Sequence, residues 1–272
     1  QLSIVGDAFA KPITRYLQTL EEEGQPLPHL ESIIRITSSG ATFSGEQKSL
    51  LQKYMPNATI IDMLGASEGG PFGIAMTAPN EDPIATAVFI APPNAVTFND
   101  ETWEPLPRGS STPGVLGVSG PMPQGYFRDE AKSAQTFKVI NGVRYTIPGD
   151  YALIDAQGVM QLLGRGSVCI NSGGEKIYPE EVEVVARSIA GIADCTVVGV
   201  PDDRFGSAVT AVVSRLPGAT VTTEELLTEM RKTLAAYKCP RHVLFVDAVY
   251  RSPSGKADYN ITRDIAINLL KG

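Results

Sequence analysis

Apolar residues at the start of the chain alternate between two periods. Leu2-Ser3-Ile4-Val5 reads as the end of a buried strand. Ile13, Tyr16, Leu17 and Leu20 then recur at helical spacing, with Asp7 as N-cap and Gly24 as stop. The rhythm repeats with a β-rich run, Ile33 to Thr37. A second helix opens at Ser44 and Gln47, spaced as a capping box, carries Leu50, Leu51 and Tyr54, and ends before Pro56. A further apolar run covers Ala58 to Met63. The order β, α, β, α, β predicts parallel strands joined by helical crossovers. A domain rarely begins inside its own sheet, so residues upstream of Gln1 are expected to be missing.

From about Ile84 to Gly164 the pattern changes to short β-rich pieces broken by Pro and Gly, with Asp155-Ala-Gln-Gly158 spaced as a hairpin turn. Trp103, among Pro105 and Pro107, is expected to pack a surface loop. From Val168 onward a third rhythm begins. Pro179 suits the first turn of a helix, with Glu180, Glu181 and Glu183 near its positive end and Val182, Val185, Ala186 and Ile189 on its apolar face, ending at Gly191. Strands are predicted at 196–200, 208–213 and 243–246. A capping box at Thr222 and Glu225 opens a helix running to about Tyr237, and a last helix covers 261–270. The expected organisation is part of a parallel α/β subdomain over 1–83, an antiparallel, barrel-like β subdomain over 84–165, a hinge at 166–167, and a small α+β domain over 168–272.

Composition narrows the function. The 272 residues are 43% hydrophobic and 19% charged, which is globular and not disordered. No run of 18 apolar residues exists to cross a membrane as a helix. Lys and Arg number 23 against 30 Asp and Glu, a net charge of −7 without basic runs. That is a poor match to a nucleic-acid backbone. Cys169, Cys195 and Cys239 are odd in number and widely spaced, which argues against a disulfide framework and fits a reducing cytoplasm. With only two histidines a multi-histidine metal site is almost excluded.

Ligands of a parallel sheet sit at one strand edge. Three loops are expected there: Val5 to Ala8; Ser38-Ser39-Gly40-Ala41-Thr42; and Leu64-Gly65-Ala66-Ser67-Glu68-Gly69-Gly70. Glycine permits close approach of a ligand, hydroxyls can contact phosphate, and a carboxylate can hold a hard cation. Each loop could equally be an ordinary polar turn. Asp150 after Gly149 could accept two hydrogen bonds from a ribose diol or cap its own turn. Gly164-Arg165-Gly166-Ser167 reads either as a phosphate or ribose contact with a pivot, or as a plain linker. In Asn171 to Lys176, two glycines allow a ligand to pass or make a tight turn. Ser252-Pro253-Ser254-Gly255-Lys256 lacks the P-loop pattern, yet can deliver a mobile positive charge; otherwise Lys256 is an exposed lysine.

Taken in order, these motifs resemble one family over nearly the whole chain. LGASEGG, PGDYA, LLGRGSVCINSGGEKIYPEEVE, VVGVPDDRFGSAV, YKCPRHVLFVD and SPSGKADY are similar to the successive motifs of AMP-forming acyl-CoA synthetases, of the adenylate-forming superfamily that includes luciferases. The wording of GGEKIYPEEVE and GKADY is nearest to fatty-acyl or sterol-side-chain CoA ligases. The resemblance implies ATP, magnesium and coenzyme A, with a carboxylic acid as the other substrate. It implies that Ser39, Gly40 and Ala41 border adenine, together with Leu64 and Gly65. Ser67 would contact the α-phosphate, Glu68 the magnesium, Asp150 the ribose hydroxyls and Arg165 the ribose or phosphate. Ser167 would be the pivot, Gly174 would line the pantetheine passage, and Lys256 would promote adenylate formation. The chain departs from the family pattern at Leu64, where an aromatic residue is common, at Pro148 in place of threonine, and at Ser167 in place of Asp or Lys. The family's Ser/Thr/Gly-rich phosphate loop is absent, as expected of a chain whose N-terminal half is missing. The two open alternatives are an enzyme that loads a carrier-protein pantetheine and a non-catalytic nucleotide-binding module. A homodimer and a peripheral place at a membrane stay open, beside a cytoplasmic location.

Overall fold

The computed structural model describes residues 1–253 and 255–271. The chain divides into two compact units, Gln1–Leu162 and the residues from Leu163 onward. In the first unit the elements are β1 (Leu2–Ile4), α1 (Gly6–Glu22), β2 (Arg35–Ser39), α2 (Gly45–Tyr54), β3 (Thr59–Ala66), β4 (Gly69–Thr77), β5 (Val88–Ile90), β6 (Ala95–Phe98), β7 (Gly114–Ser119), α3 (Glu130–Thr136), β8 (Phe137–Ile140), β9 (Val143–Thr146), β10 (Asp150–Ile154) and β11 (Val159–Arg165). Strands β1, β2 and β3 pair in parallel, with Ile36 opposite both Leu2 and Ile60. From β4 onward the pairings that follow are antiparallel, and all eleven strands join one hydrogen-bonded sheet.

Two differences from the sequence reading are local. The stretch Leu64–Gly70 is not a loop: β3 continues to Ala66, bulges at Gly65 and turns through Ser67-Glu68 into β4, with Ala66 opposite Gly69. The glycine content masks strand backbone held by the neighbouring β4. Asp7 is not an N-cap either. The helix starts at Gly6, and the Asp7 carboxylate instead accepts the Ser44 amide at 2.8 Å and the Ser44 hydroxyl at 3.0 Å. Ser44 in turn caps α2 by accepting the Gln47 amide. Gly6 is required there, because its φ is +50° and a Cβ would lie 2.2 Å from the Thr42 carbonyl oxygen.

Beneath α1 and α2, the core of Ile36, Phe43, Leu51 and Ile60 encloses an ion pair. Lys48 Nζ lies 2.9 Å from Asp62 Oδ2, with side-chain exposures of 2% and 7%. The ammonium also sits over the Phe43 ring, 5.3 Å from its centroid.

The second unit contains β12 (Ile170–Ser172), β13 (Glu175–Ile177), α4 (Pro179–Arg187), β14 (Ile192–Asp202), β15 (Gly206–Arg215), α5 (Thr223–Met230), β16 (His242–Val246) and α6 (Tyr259–Lys271). Strand β15 is antiparallel to β14 and parallel to β16. The period-two alternation separates two cores. Val197, Val209, Ala211 and Val213 pack with Val182 of α4 and Leu226 of α5. Val198, Val200, Ala208 and Val212 pack with Ala266 of α6. Burying such aliphatic side chains contributes about 1.5–3 kcal/mol each before chain entropy is set against it. Pro179 begins α4, and Thr222 and Glu225 form the expected reciprocal cap on α5. Helix α5 stops at Met230, short of Tyr237. The chain tightens into turns in which Lys232 and Thr233 donate to the carbonyls three residues back.

Candidate active site

Ser39, Gly40, Ala41, Leu64, Gly65, Ser67, Glu68 and Asp150 belong to the first unit; Arg165, Ser167, Gly174 and Lys256 belong to the second.

In the first unit, the end of β2 is tied to the start of α1. The buried Ser38 hydroxyl accepts the Gly6 amide at 3.0 Å, and the Asp7 amide donates to Thr42 at 2.8 Å. Ser39 and Gly40 stay exposed beside this lock. Ser67 and Glu68 form the tip of the β3–β4 hairpin. Glu68 is supported from two sides. Its carbonyl oxygen accepts the Thr146 hydroxyl at 3.1 Å, and its carboxylate accepts the Tyr126 hydroxyl. Burial and the hydrogen bond to Glu68 push the Tyr126 phenol above its ordinary range, so it stays a neutral donor. Neither Tyr126 nor Thr146 was foreseen from sequence. They lie 58 and 78 residues from Glu68, where no local periodicity reports a contact.

The chain from Thr146 to Tyr151 runs antiparallel along one edge of β7, from Thr146 opposite Val118 to Tyr151 opposite Val115, with β6 on the other edge. Asp150 opens β10 directly after Gly149, whose φ is +95°. The same short segment therefore carries the support of Glu68 and Asp150.

The division between the units falls inside β11, whose last residue, Arg165, lies in the second; its amide donates to Glu180 Oε1 at 3.3 Å. Gly164 has φ +138°, and a Cβ there would lie 2.0 Å from Glu180 Oε2. Ser167 is exposed in a single 3₁₀ turn, Gly166–Val168. Gly174 is at the turn of the β12–β13 hairpin, between Ser172 and Glu175, with φ +92° and nothing within 4 Å of a Cβ. Its neighbour Gly173 donates to the Phe205 carbonyl at 3.0 Å. Gly164→Ala is expected to cost about 1–3 kcal/mol, because it combines backbone strain with displacement of the Glu180 carboxylate. Gly174→Ala should cost less, carrying the backbone term alone. Thermal melts of the two variants check the order.

Lys256 lies on a loop whose ends meet in an antiparallel bridge between Arg251 and Ala257, and it is exposed. Ser254 of that loop lies outside the described residues.

Among the described residues no three or more His, Cys, Asp or Glu side chains gather as a metal site. No helix among them is long and apolar enough to cross a membrane.

Comparison with known proteins agrees with the motif order. Residues 181–256 match the AMP-binding enzyme C-terminal domain. The chain is 43% identical, over 97% of its own length, to a medium/long-chain-fatty-acid–CoA/3-oxocholest-4-en-26-oate–CoA ligase of Mycolicibacterium smegmatis, of which it covers 48%. It is also 43% identical to a 3-oxocholest-4-en-26-oate–CoA ligase of Rhodococcus rhodochrous, over 96% of this chain and 47% of that one. ATP-bound MatB from Rhodopseudomonas palustris superposes with a TM-score of 0.69 at 28% identity, over 86% of this chain and 46% of MatB. The chain thus spans about half the length of the relatives it matches. Through this sequence and fold the chain is similar, over nearly its whole length, to about half of the acyl-CoA ligases it matches, and its residues 181–256 match the C-terminal domain of AMP-binding enzymes.

Proposed function

We propose that the complete protein carrying this chain joins a carboxylic acid to coenzyme A at the expense of ATP. The carrying observation is the 43% identity over 97% of the chain to a ligase named for fatty acids and a sterol side-chain acid. The substrate in this reading is a medium- or long-chain fatty acid or a sterol side-chain acid. In the first step a carboxylate oxygen of the acid attacks the α-phosphorus of ATP, and pyrophosphate leaves, giving the acyl-adenylate. In the second, the sulfur of coenzyme A attacks the acyl carbonyl and loses its proton, and AMP departs with the carboxyl-derived oxygen.

The chain's residues take the following roles in this reading. Ser39, Gly40, Ala41, Leu64 and Gly65 border the adenine. Leu64 offers apolar contact in place of ring stacking. Asp150 accepts from the ribose hydroxyls, and Arg165 binds ribose or phosphate oxygen. Ser67 donates to the α-phosphate, and Lys256 neutralises charge that grows on the reacting centre. Ser167 is the pivot about which residues from 168 onward turn between the two steps, so that the hairpin at Gly174 comes to line the thiol passage.

Glu68 supplies a carboxylate, one oxygen of which accepts from Tyr126, and among the described residues no group of three or more His, Cys, Asp or Glu side chains forms around it. That donor set fits a magnesium ion that brings phosphate oxygens and waters as its other ligands, and does not fit a resident all-protein metal cage. Bound there, magnesium would neutralise phosphate charge.

The test is AMP release by the complete protein supplied with ATP, magnesium and a panel of fatty and sterol acids, with and without coenzyme A. Acid-dependent AMP release that requires coenzyme A is the expected result. Adenylate that persists with coenzyme A but discharges onto a pantetheinylated carrier protein would replace the acceptor. Nucleotide binding with no turnover on any acid would overturn the ligase reading.

A further inference from the structure

The loop bearing Lys256 is a compact unit hung from residue 251. Within it, the Ser252 amide donates to the Lys256 carbonyl at 2.9 Å, the Gly255 amide to the Ser252 carbonyl at 2.8 Å, and the Lys256 amide to the Ser252 hydroxyl at 3.2 Å. With the Arg251–Ala257 bridge closing its base, the backbone direction at Lys256 follows that at Arg251.

The Arg251 guanidinium turns inward. Its Nε donates to Asp194 Oδ2 at 2.8 Å and its Nη2 to Asp194 Oδ1 at 2.6 Å, a two-pronged contact that defines angle as well as distance. Nη2 also reaches the Cys195 carbonyl at 3.3 Å. Asp194 is aimed by the register break in β14 between Ile192 and Asp194, and its Oδ1 accepts the Cys195 amide at 2.8 Å. On the far side, Arg187 of α4 donates to the same Cys195 carbonyl at 2.8 Å and to Glu183 Oε2 at 3.2 Å. Buried Glu183 accepts the Val197 amide at 2.9 Å. A continuous line of alternating charge, Glu183–Arg187–Asp194–Arg251, thus runs from α4 across β14 to the base of the loop. Burial alone would raise the Asp194 carboxyl, but Arg251 and then Arg187 outweigh it and hold it below the usual range.

An exposed ion pair between two long side chains is worth little. This one is forked, three-quarters shielded on both partners, and continuous with a buried pair. From the fork and the closed loop we infer that Asp194 and Arg251 are positioning residues for Lys256, setting where its ammonium is presented for adenylate formation. The inference rests on the role of Lys256 given under the proposed function. Neither residue touches the reacting atoms; each acts through the loop.

The experiment measures both half-reactions in the complete protein for Arg251→Ala, Arg251→Lys, Asp194→Asn, Lys256→Ala and the double variant Arg251→Ala/Lys256→Ala. Misplacing a reacting group by about 1 Å can cost up to ~100-fold. Arg251→Ala and Asp194→Asn should therefore lower kcat for adenylate formation by roughly 10- to 100-fold. The KM for ATP and the conversion of supplied acyl-adenylate should hold. Arg251→Lys keeps charge but loses the fork, and should fall between. In the double variant, removal of Arg251 should cost nothing beyond the loss already caused by Lys256→Ala. Losses that multiply, or that strike both half-reactions equally, would overturn the inference by making the pair a general structural support. If Arg251→Ala fails to fold, Asp194→Asn, near in shape to the parent, and Arg251→Lys carry the same comparison. A Lys256→Ala variant that keeps full adenylation would refute the functional reading itself. One that loses adenylation while Arg251 and Asp194 variants keep it would refute the positioning alone.

Discussion

Lys256→Ala in the complete protein is expected to slow acyl-adenylate formation by about 100- to 1,000-fold, the scale seen when one preorganised charge is removed from a reacting centre. Conversion of supplied acyl-adenylate to thioester should change by no more than a few-fold. The asymmetry follows from the chemistry. Negative charge accumulates at the α-phosphorus while pyrophosphate leaves, and a compact ammonium on a mobile stem can meet it there. The thiol step has no departing pyrophosphate to neutralise. The side chain is exposed, so its removal leaves the fold of the second unit intact. Single-turnover formation of adenylate from labelled ATP, beside thioester formation from synthetic adenylate, separates the steps. Equal losses in both would remove Lys256 from the role assigned to it.

The largest stability effect is expected in the first unit. Lys48→Met leaves Asp62 with a buried carboxylate and no cation, and breaking a buried pair from one side costs about 3–5 kcal/mol. Burial already raises the Asp62 carboxyl above its ordinary range, and Lys48 opposes that shift. Without Lys48 the carboxyl rises further. A carboxyl whose folded pKa lies above its unfolded value contributes stability at low pH that is lost as pH rises through the folded value. The deficit of Lys48→Met relative to the parent is therefore greatest near neutrality and shrinks on acidification. Lys48→Met combined with Asp62→Leu should recover most of the loss, because an apolar pair of similar volume needs no desolvated charge. Urea unfolding at two pH values checks all three statements. A Lys48→Met protein as stable as the parent at pH 7 would mean that water reaches Asp62.

Features legible in the sequence were those whose cause is local. Ser44, Thr222 and Pro179 start helices because their own side chains or rings satisfy or match the first turn. Asp155 and Gly158 close a hairpin by the same short-range logic, with the Asp155 carboxylate accepting the Gln157 and Val159 amides. Helix α5 ends where no glycine or proline marks it, since Arg231 to Ala236 are all tolerable in a helix and tertiary packing decides. At the candidate site, the motifs named Glu68, Asp150 and Lys256. They did not name the residues that hold Glu68 and the Lys256 loop in place. Tyr126 reaches Glu68, and Asp194 reaches Arg251, across 58 and 57 residues of chain. Such partners are chosen by the folded topology, and a single sequence carries no period that reveals them.

The buried Lys48–Asp62 pair also bears on how this chain can be recombined with its relatives. One partner sits on α2 and the other on β3, and the turn between them exposes Pro56 and Asn57, where a splice would look harmless. A crossover placed within 49–61 draws the two charges from different parents. Unless both parents carry the pair, the hybrid inherits half of it, and the deficit would consume much of the 5–15 kcal/mol that separates a typical folded domain from its unfolded chain. Junctions belong before Lys48 or after Asp62, so that the block travels whole.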